Sequence, residues 1–369
     1  MTKKIAIIGG GIVGSSAAYF LSKNQADYEV TLFDNGEGQA TKAAAGIISP
    51  WLSKRRNKQW YQLAKDGVST IEQIAAETNM DSVTFSKVGT IISRKDPDKL
   101  QELFNLAQER KKDAPEMGSI KLISSQEIKE LIPIIDNYQY NGILVTGGSR
   151  IDGNLFCNHL LEIACRTNLE IKKGQAILKN DNVIAWNNQE ENFDKIIVAA
   201  GAWTKIVLQN VGSNLRLRPQ KGQLIEIEVN QNSNLAEMPV MMPESEYDFI
   251  PAGHNKLIIG ATHDNEKGFD LEIEKDVDRK LLKTASSLID NLNMDNIILE
   301  KTGTRAYTDD FSPVFGNVPA NNNVLFATGL GSSGLTTGPL IGKILVDMID
   351  NKKIDLSKYE KSIDQYFIH

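Results

Sequence analysis

Apolar residues recur along the chain with spacings that alternate between those of strands and those of helices. A short apolar run at 4–8 predicts a buried strand. Glycines follow, apolar positions from Ile12 to Leu21 then recur at helical spacing, and a second strand-like run occupies 29–33. This order predicts a βαβ unit, whose ligand lies beyond the carboxyl ends of its parallel strands.

The rest of the chain continues this pattern and interrupts it once. Amphipathic helices are predicted at 57–79, 97–112, 152–167, 274–292 and 334–350. Between 216 and 261, alternating apolar and polar positions separated by Gly, Pro and Asn predict an antiparallel sheet, and a strand is expected at 296–302. Apolar strands followed by glycines, at 195–200 and 324–327, return to the α/β pattern of the N-terminus.

Strand-glycine-helix units thus occur near both termini and in the middle, on either side of the β-rich part. With 369 residues, 41% of them hydrophobic, the chain is long enough for two cores. The expected fold class is α/β: a discontinuous Rossmann-like domain with an inserted α+β substrate domain built on an antiparallel sheet. The first is expected at 1–80, 142–215 and 300–369, and the second at 81–141 and 216–299.

Charge and composition narrow the class of protein. Lys and Arg total 41 against 47 Asp and Glu, without long blocks of one sign, so a nucleic-acid partner is not expected. The densest basic run, Lys54, Arg55, Arg56 and Lys58, is interpreted as a solvated loop or helix start. A transmembrane run and a signal peptide are both lacking, which predicts a cytoplasmic protein. The spacing of histidines and cysteines predicts no metal site.

The first glycines form a nucleotide-binding pattern. Gly9, Gly11 and Gly14 give G-x-G-x-x-G between a strand and a helix, where glycine permits the tight turn, the approach of a pyrophosphate and close helix-strand packing. The phosphates are expected at the helix N-terminus. Asp34 ends the second strand about 20 residues on, where a carboxylate accepts hydrogen bonds from ribose hydroxyls. Together these features predict a dinucleotide site.

Further stretches, in this order and spacing, resemble the D-amino-acid oxidase or glycine oxidase (DAO) family of FAD-dependent oxidoreductases. They are GGGIVG at 9–14, KAAAGIISP at 42–50, IIVAAGAW at 196–203, RPQKGQ at 218–223, FIP at 249–251, LIIGAT at 257–262, GTRAYTDDFSPVFG at 303–316 and VLFATGLGSSG at 324–334. The resemblance covers essentially the whole chain. It implies that the dinucleotide is FAD and that the Rossmann-like domain is an FAD-binding domain.

The resemblance also implies which residues surround FAD. A covalent link to a late cysteine, as in sarcosine oxidase relatives, is not expected because no cysteine follows Cys165, so FAD is expected to bind non-covalently. The backbone of Ile177 is expected to touch the adenine end. The other expected contacts are Gly9, Gly11, Ile12, Val13, Gly14, Asp34, Asn35, Thr41, Ala45, Gly46, Ile47, Ala200, Gly201, Trp203, Gly329, Leu330, Gly331, Ser332, Ser333, Gly334, Leu335 and Thr336.

The second glycine block, Gly329, Gly331 and Gly334, also fits G-x-G-x-x-G after a strand. A second nucleotide site is rejected, because no strand ending in a carboxylate follows: Asp347 and Asp350 lie within or at the end of a predicted helix. Instead, the helix that begins near residue 334 is expected to present its positive end to the pyrimidine side of the flavin, where negative charge accumulates on reduction.

Substrate binding is expected to depend on Arg305, which the resemblance places where a guanidinium grips the substrate carboxylate, as an Arg fork does better than Lys. Tyr307 and the pair Tyr247 and Asp248 are further candidates for polar contacts, although alternation along strands sends adjacent side chains to opposite faces, so only some of them can point inward. The chain departs from the family pattern at three positions: glycine oxidase has an arginine in place of Ser332 and a tyrosine in place of Asp248, and the usual proline after the carboxylate-binding arginine is Ala306 here. The substrate is therefore left open.

The resemblance implies oxidation of a small amino acid or secondary amine of the glycine, sarcosine or D-amino-acid type, by hydride transfer to flavin N5, with an imine that then hydrolyses. One alternative is a 2-hydroxy-acid dehydrogenase, which needs a base; His254 and His263 are the candidates. Another is a catalytically silent flavin-binding protein. The electron acceptor and the oligomeric state, a homo-oligomer included, are left open.

Overall fold

The computed structural model describes residues 2–24, 26–55, 57–135, 137–229, 234–319, 321–359 and 361–368. Arg56 of the basic run lies outside them. One large sheet has six strands, in the order Val314–Asn317, Val324–Thr328, Lys195–Val198, Lys3–Ile8, Tyr28–Asp34 and Leu169–Lys173. Its strands are parallel except for the pair Val314–Asn317 and Val324–Thr328. The predicted βαβ unit is confirmed, with helix Ile12–Ser22 between its first two strands.

The predicted helices are present with small shifts at their ends. The α-helices of the described residues are Ile12–Ser22, Lys58–Glu77, Pro97–Lys111, Ser125–Leu131, Gly153–Cys165, Thr204–Gln209, Lys275–Ser286 and Gly334–Ile349. The helix predicted at 274–292 ends earlier, at Ser286, because the chain turns afterwards and Asn291 takes a positive φ of 60°. No helix of the described residues is long and apolar enough to cross a membrane.

The second large sheet is mixed, whereas the sequence predicted an antiparallel one. Its eight strands lie in the order Ile297–Tyr307, Arg218–Glu228, Lys256–Gly260, Asp248–Pro251, Val240–Met242, Thr90–Ser93, Gly142–Val145 and Ile120–Ile123. Val240–Met242 and Thr90–Ser93 pair in parallel, and the other neighbours are antiparallel. The parallel pair joins distant segments of the chain, where a long connection removes the need for a hairpin.

Two strands of this sheet lie beyond the predicted edges of the substrate domain. Gly142–Val145 and residues 300–307 were assigned to the FAD-binding domain, but both belong to strands of the eight-stranded sheet. Strand Ile297–Tyr307 is longer than the predicted 296–302 and pairs with Arg218–Glu228 along most of its length. The division into an FAD-binding and a substrate domain stays a prediction, and in it these two strands are now assigned to the substrate domain.

Short sheets complete the fold and hold the segments near the glycine turns. Ile47–Ile48 and Phe85–Ser86 both pair with Ser149–Ile151, which fixes the alanine-rich segment that precedes Ile47. The remaining short strands are Ile177–Leu178, Val183–Trp186 and Gln189–Asn192 in one sheet, and Asn214–Leu215 with Phe367–Ile368 in another.

Candidate active site

A cavity of about 620 Å³ runs from the first glycine turn to the face of the eight-stranded sheet. Its volume lies within the usual range for cofactor and ligand sites. Asp34 and Gln175 line one end, and Met242, Asp248 and Arg305 line the other. Both glycine blocks contribute to the wall between these ends. The structure thus brings the two sequence motifs to one cavity.

The first glycine turn leaves backbone N–H groups directed at the cavity. Gly11, the N-cap of helix Ile12–Ser22, has no side chain to cap it, and the first turn carries no acidic residue; the N–H of Ile12 donates to Thr41 Oγ1 over 3.1 Å. A Cβ on Gly9, whose φ is +105°, would lie 2.4 Å from the carbonyl oxygen of Ala199, and one on Gly14 would lie 1.9 Å from that of Gly9. Glycine is therefore required at both positions, and the uncapped helix end suits a pyrophosphate.

Asp34 and Gln39 form the polar wall at this end. Asp34 ends its strand against Gly10, where a Cβ would lie 2.8 Å from Asp34 Oδ2. Gln39 Nε2 donates to the same carboxylate oxygen, while Gln39 Oε1 is buried without a hydrogen-bond partner in the part of the chain that is described. A carboxylate and an unpaired amide oxygen are acceptors, as ribose hydroxyls require, so these residues fit the adenosine half of FAD.

A second uncapped helix end faces the same cavity. Helix Gly334–Ile349 has neither a side-chain cap nor an acidic residue in its first turn. The loop before it turns at Gly329 and Gly331, with φ of +73° and +55°. The N–H of Ser332 donates to the hydroxyl oxygen of Tyr307 over 3.1 Å. This end supplies positive potential where the flavin ring was predicted.

Arg305 lies near the end of strand Ile297–Tyr307, half-buried in the cavity wall. Its Nη1 donates to the backbone oxygen of Thr262 over 2.8 Å and to Gln220 Oε1 over 3.1 Å, and lies 3.3 Å from His263 Nδ1. Burial lowers the pKa of Arg305. Within the described chain its charge has no carboxylate partner, so an anion in the cavity would complete its pairing.

Strand alternation sends Asp248 into the cavity and Tyr247 away from it. Asp248 lines the wall, and burial raises the pKa of its carboxyl to about 7, against the opposing effect of Arg94. Tyr247 is 4% exposed and packs in the hydrophobic core beside the eight-stranded sheet. The structure therefore does not support Tyr247 as a substrate contact, and Asp248 takes its place as a candidate.

Most of the predicted site residues line the cavity. Four do not: Gly14 serves packing, Tyr247 lies in the core, Tyr307 lies behind Gly331, and Ile177 is 47% exposed outside the cavity. Near Ile177 the wall is instead formed by 174–176. The lining residues among those predicted are Gly9, Gly11, Ile12, Val13, Asp34, Asn35, Thr41, Ala45, Gly46, Ile47, Ala200, Gly201, Trp203, Gly329, Leu330, Gly331, Ser332, Ser333, Gly334, Leu335, Thr336 and Arg305.

The cavity also contains a residue that the sequence placed in solvent. Arg55 lines it and donates from Nη2 to Ser332 Oγ over 3.2 Å. Lys54 and Lys58 are exposed, as the basic run predicted. The interpretation of a solvated loop is therefore wrong for Arg55. Little in the sequence indicated that Arg55 would be buried. The one hint was Trp60, five positions on, whose ring can pack against a guanidinium.

Replacing Asp248 with asparagine is expected to stabilise the protein more at high pH than at low pH. A free Asp ionises near pH 3.9, whereas folded Asp248 ionises near 7, so between these values the unfolded state holds fewer protons and stability falls as pH rises. The gain from Asp248→Asn should be about 2 kcal/mol larger at pH 8 than at pH 5 in urea unfolding. Exposed Asp309→Asn is the control; equal gains at both pH values would contradict the assignment.

Sequence comparison gives the family. A profile of the family described as DAO, FAD dependent oxidoreductase, matches residues 4–348. The chain belongs to the DAO family. This DAO-family chain is 35% identical to the uncharacterized oxidoreductase YurR of Bacillus subtilis, over 97% of its own length and 98% of YurR. It is 23% identical to a glycine oxidase of the same organism, over 95% of its length and 93% of that enzyme.

Solved structures agree with this assignment. The fold of the DAO-family chain superposes on that of iminodiacetate oxidase from Chelativorans sp. BNC1 with a TM-score of 0.88 and 26% identity, covering 98% of each chain. The glycine oxidase of Geobacillus kaustophilus shares the fold at 19% identity, with a TM-score of 0.81 over 98% of this chain and 99% of that one. The chain is therefore an enzyme, an FAD-dependent oxidoreductase with the predicted α/β fold.

Proposed function

We propose that this enzyme oxidises a small amino acid or secondary amine that carries a carboxylate. The observation that supports this most is the position of Arg305: its Nη1 is held by protein acceptors, and its charge faces the cavity without a carboxylate partner among the described residues. A guanidinium fixed on one side grips a carboxylate with its remaining N–H groups. Substrate binding thereby neutralises a half-buried charge.

Asp248 supports an amine at the same end of the cavity. Its carboxylate has no hydrogen-bond partner among the described side chains and can accept an N–H from the substrate nitrogen. Arg305 and Asp248 together fix the two polar ends of an amino acid, which orients its Cα hydrogen. FAD, when bound, supplies the oxidant that takes two electrons and the Cα hydrogen. The imine so formed adds water and releases an oxo acid and an amine.

The activities for which two relatives are named agree with this proposal. Glycine oxidase and iminodiacetate oxidase both act, by name, on small amino acids or imino acids with a carboxylate. The cytoplasmic location and the non-covalent attachment of FAD stay predictions of the sequence, and the oligomeric state, a homo-oligomer included, stays open.

Anaerobic titration tests the proposal. The purified protein is expected to show a flavin spectrum that bleaches on addition of at least one amine among glycine, sarcosine, D-alanine, proline and iminodiacetate, because transfer of two electrons abolishes the oxidised-flavin absorbance. Bleaching by 2-hydroxy acids alone would contradict it, and a flavin that no compound bleaches would favour the silent flavoprotein.

His263 keeps the 2-hydroxy-acid alternative open. It lines the cavity beside Arg305, and burial, assisted by Arg305, lowers the pKa of its imidazole, so its neutral form can accept a hydroxyl proton. His254 is exposed and lies outside the cavity. Lactate and 2-hydroxyglutarate in the same titration, with wild type and His263→Gln, distinguish the two functions.

A further inference from the structure

Arg55 is a second cavity guanidinium whose charge is not paired by the protein. Its Nη2 donates to Ser332 Oγ, and its guanidinium carbon lies 4.6 Å from the centre of the Trp60 ring. Its Nη1 is buried and has no hydrogen-bond partner in the described chain, and no carboxylate of the described residues forms an ion pair with it. Burial lowers the pKa of Arg55. An unpaired donor on a cation is costly unless a ligand occupies it.

The segment that carries Arg55 is fixed against the second glycine block. Asn57 Nδ2 donates to Ser312 Oγ over 2.7 Å, and Trp60 Nε1 donates to Ser333 Oγ over 3.0 Å. Asn57 Oδ1 also caps helix Lys58–Glu77 by accepting the N–H of Trp60. Since these contacts hold the segment that follows Arg55, and Ser332 accepts from Arg55 itself, the guanidinium is positioned before any ligand binds, which reduces the entropic cost of using it.

The phosphates of FAD do not pair this charge, and the oxidised flavin ring expected near Ser332 is neutral. The pyrophosphate is expected at helix Ile12–Ser22, whereas Arg55 contacts Ser332 beside the other helix. A substrate with one carboxylate neutralises Arg305 and leaves Arg55 unpaired. The substrate end of the cavity thus presents two cations and one ionisable carboxyl group, Asp248. This arrangement is complementary to an amine between two carboxylates.

We propose that Arg55 binds a second carboxylate of the substrate, and that the substrate is therefore an amine with two carboxylates, of the iminodiacetate class. The inference rests on the proposed function, which assigns the first carboxylate to Arg305. Two kinds of substrate carry such a second carboxylate. In one it lies on the substituent of the nitrogen, as in iminodiacetate; in the other it lies on the side chain at Cα, as in aspartate.

Paired substrates test this directly. Sarcosine and iminodiacetate differ only by the second carboxylate, and D-alanine and D-aspartate form the corresponding Cα pair, with the L-isomers as a further arm. For the wild type, kcat/KM should favour the dicarboxylate of at least one pair by about 10-fold or more. Arg55→Met keeps an apolar stem over Trp60 and should lower that preference by about 10-fold or more, to near equality, because it removes one partner of a charge pair.

Two further variants separate this role from a structural one. Arg55→Lys should restore part of the dicarboxylate preference, since it restores charge without the fork. Lys54→Met removes the same charge from the exposed neighbouring position and should leave the preference unchanged, and flavin content reports folding in every variant. Equal kcat/KM for the two members of each pair, or an unchanged preference in Arg55→Met, would overturn this inference and leave the proposed function intact. Failure of every amine to bleach the wild type would overturn the proposed function with it.

Discussion

Replacing Arg305 with leucine is expected to raise the KM for the amine substrate about 100-fold or more while the protein keeps its flavin. The guanidinium is the group assigned to the substrate carboxylate, and the loss of one partner from a half-buried charge pair costs on the order of 3 kcal/mol. Flavin should remain because Arg305 lies at the sheet end of the cavity, away from the glycine turn. Steady-state kinetics and the flavin-to-protein absorbance ratio measure the two effects.

Two comparisons sharpen this prediction. Arg305→Lys keeps the charge but loses the planar fork, so its KM should lie between those of the wild type and Arg305→Leu. Arg166→Leu removes an exposed arginine that follows helix Gly153–Cys165 and should leave KM unchanged. A leucine variant that loses flavin, or one that keeps the wild-type KM, would contradict the role of Arg305.

The parts of the fold that sequence predicted well depend on local patterns. The first βαβ unit follows from an apolar run, glycines and helical periodicity within 34 residues, and the structure reproduces it almost residue for residue. The parallel pair inside the second sheet was missed, because it joins Thr90–Ser93 to Val240–Met242, about 150 residues apart. No local pattern specifies which distant strands become neighbours.

At the site, the sequence could not predict which of two adjacent side chains, Tyr247 or Asp248, faces the cavity. Alternation predicted that only one of Tyr247 and Asp248 faces inward, but the pattern has two phases and the sequence did not choose between them. The structure chooses Asp248, because Tyr247 packs into the apolar core. This choice places a carboxyl group, rather than a phenol, at the substrate end of the cavity.

Arg55 shows a different limit of sequence-based prediction. Lys54 and Lys58 of the basic run are exposed, so the interpretation of the run as solvated holds for these two residues and misses Arg55. What distinguishes Arg55 is its contact with Ser332, 277 positions away in sequence. The same position is the departure from glycine oxidase noted in the sequence, and a serine there leaves space that an arginine from another segment reaches.

The two glycine blocks should respond oppositely when their third glycine is replaced with alanine. In Gly14→Ala the new Cβ lies 1.9 Å from the backbone carbonyl oxygen of Gly9 and 3.2 Å from the Ile7 side chain. Relief of this overlap must displace the turn that is expected to bind the pyrophosphate. We expect a loss of about 3 kcal/mol or more in stability, a fall of roughly 5 °C or more in the melting temperature, and loss of most of the flavin.

Gly334→Ala is the matched control, because Gly334 holds the same place in its motif. Its Cβ meets no protein atom closer than Leu330 Cβ at 3.7 Å, an ordinary contact, and alanine favours the helix that begins there. Its melting temperature should stay at or slightly above that of the wild type. Equal destabilisation of both variants would mean that the second block, like the first, needs glycine for helix-strand packing. We expect the two variants to differ because the loop before helix Gly334–Ile349 needs glycine only where it turns, at Gly329 and Gly331. The third glycine of this motif, Gly334, can be replaced.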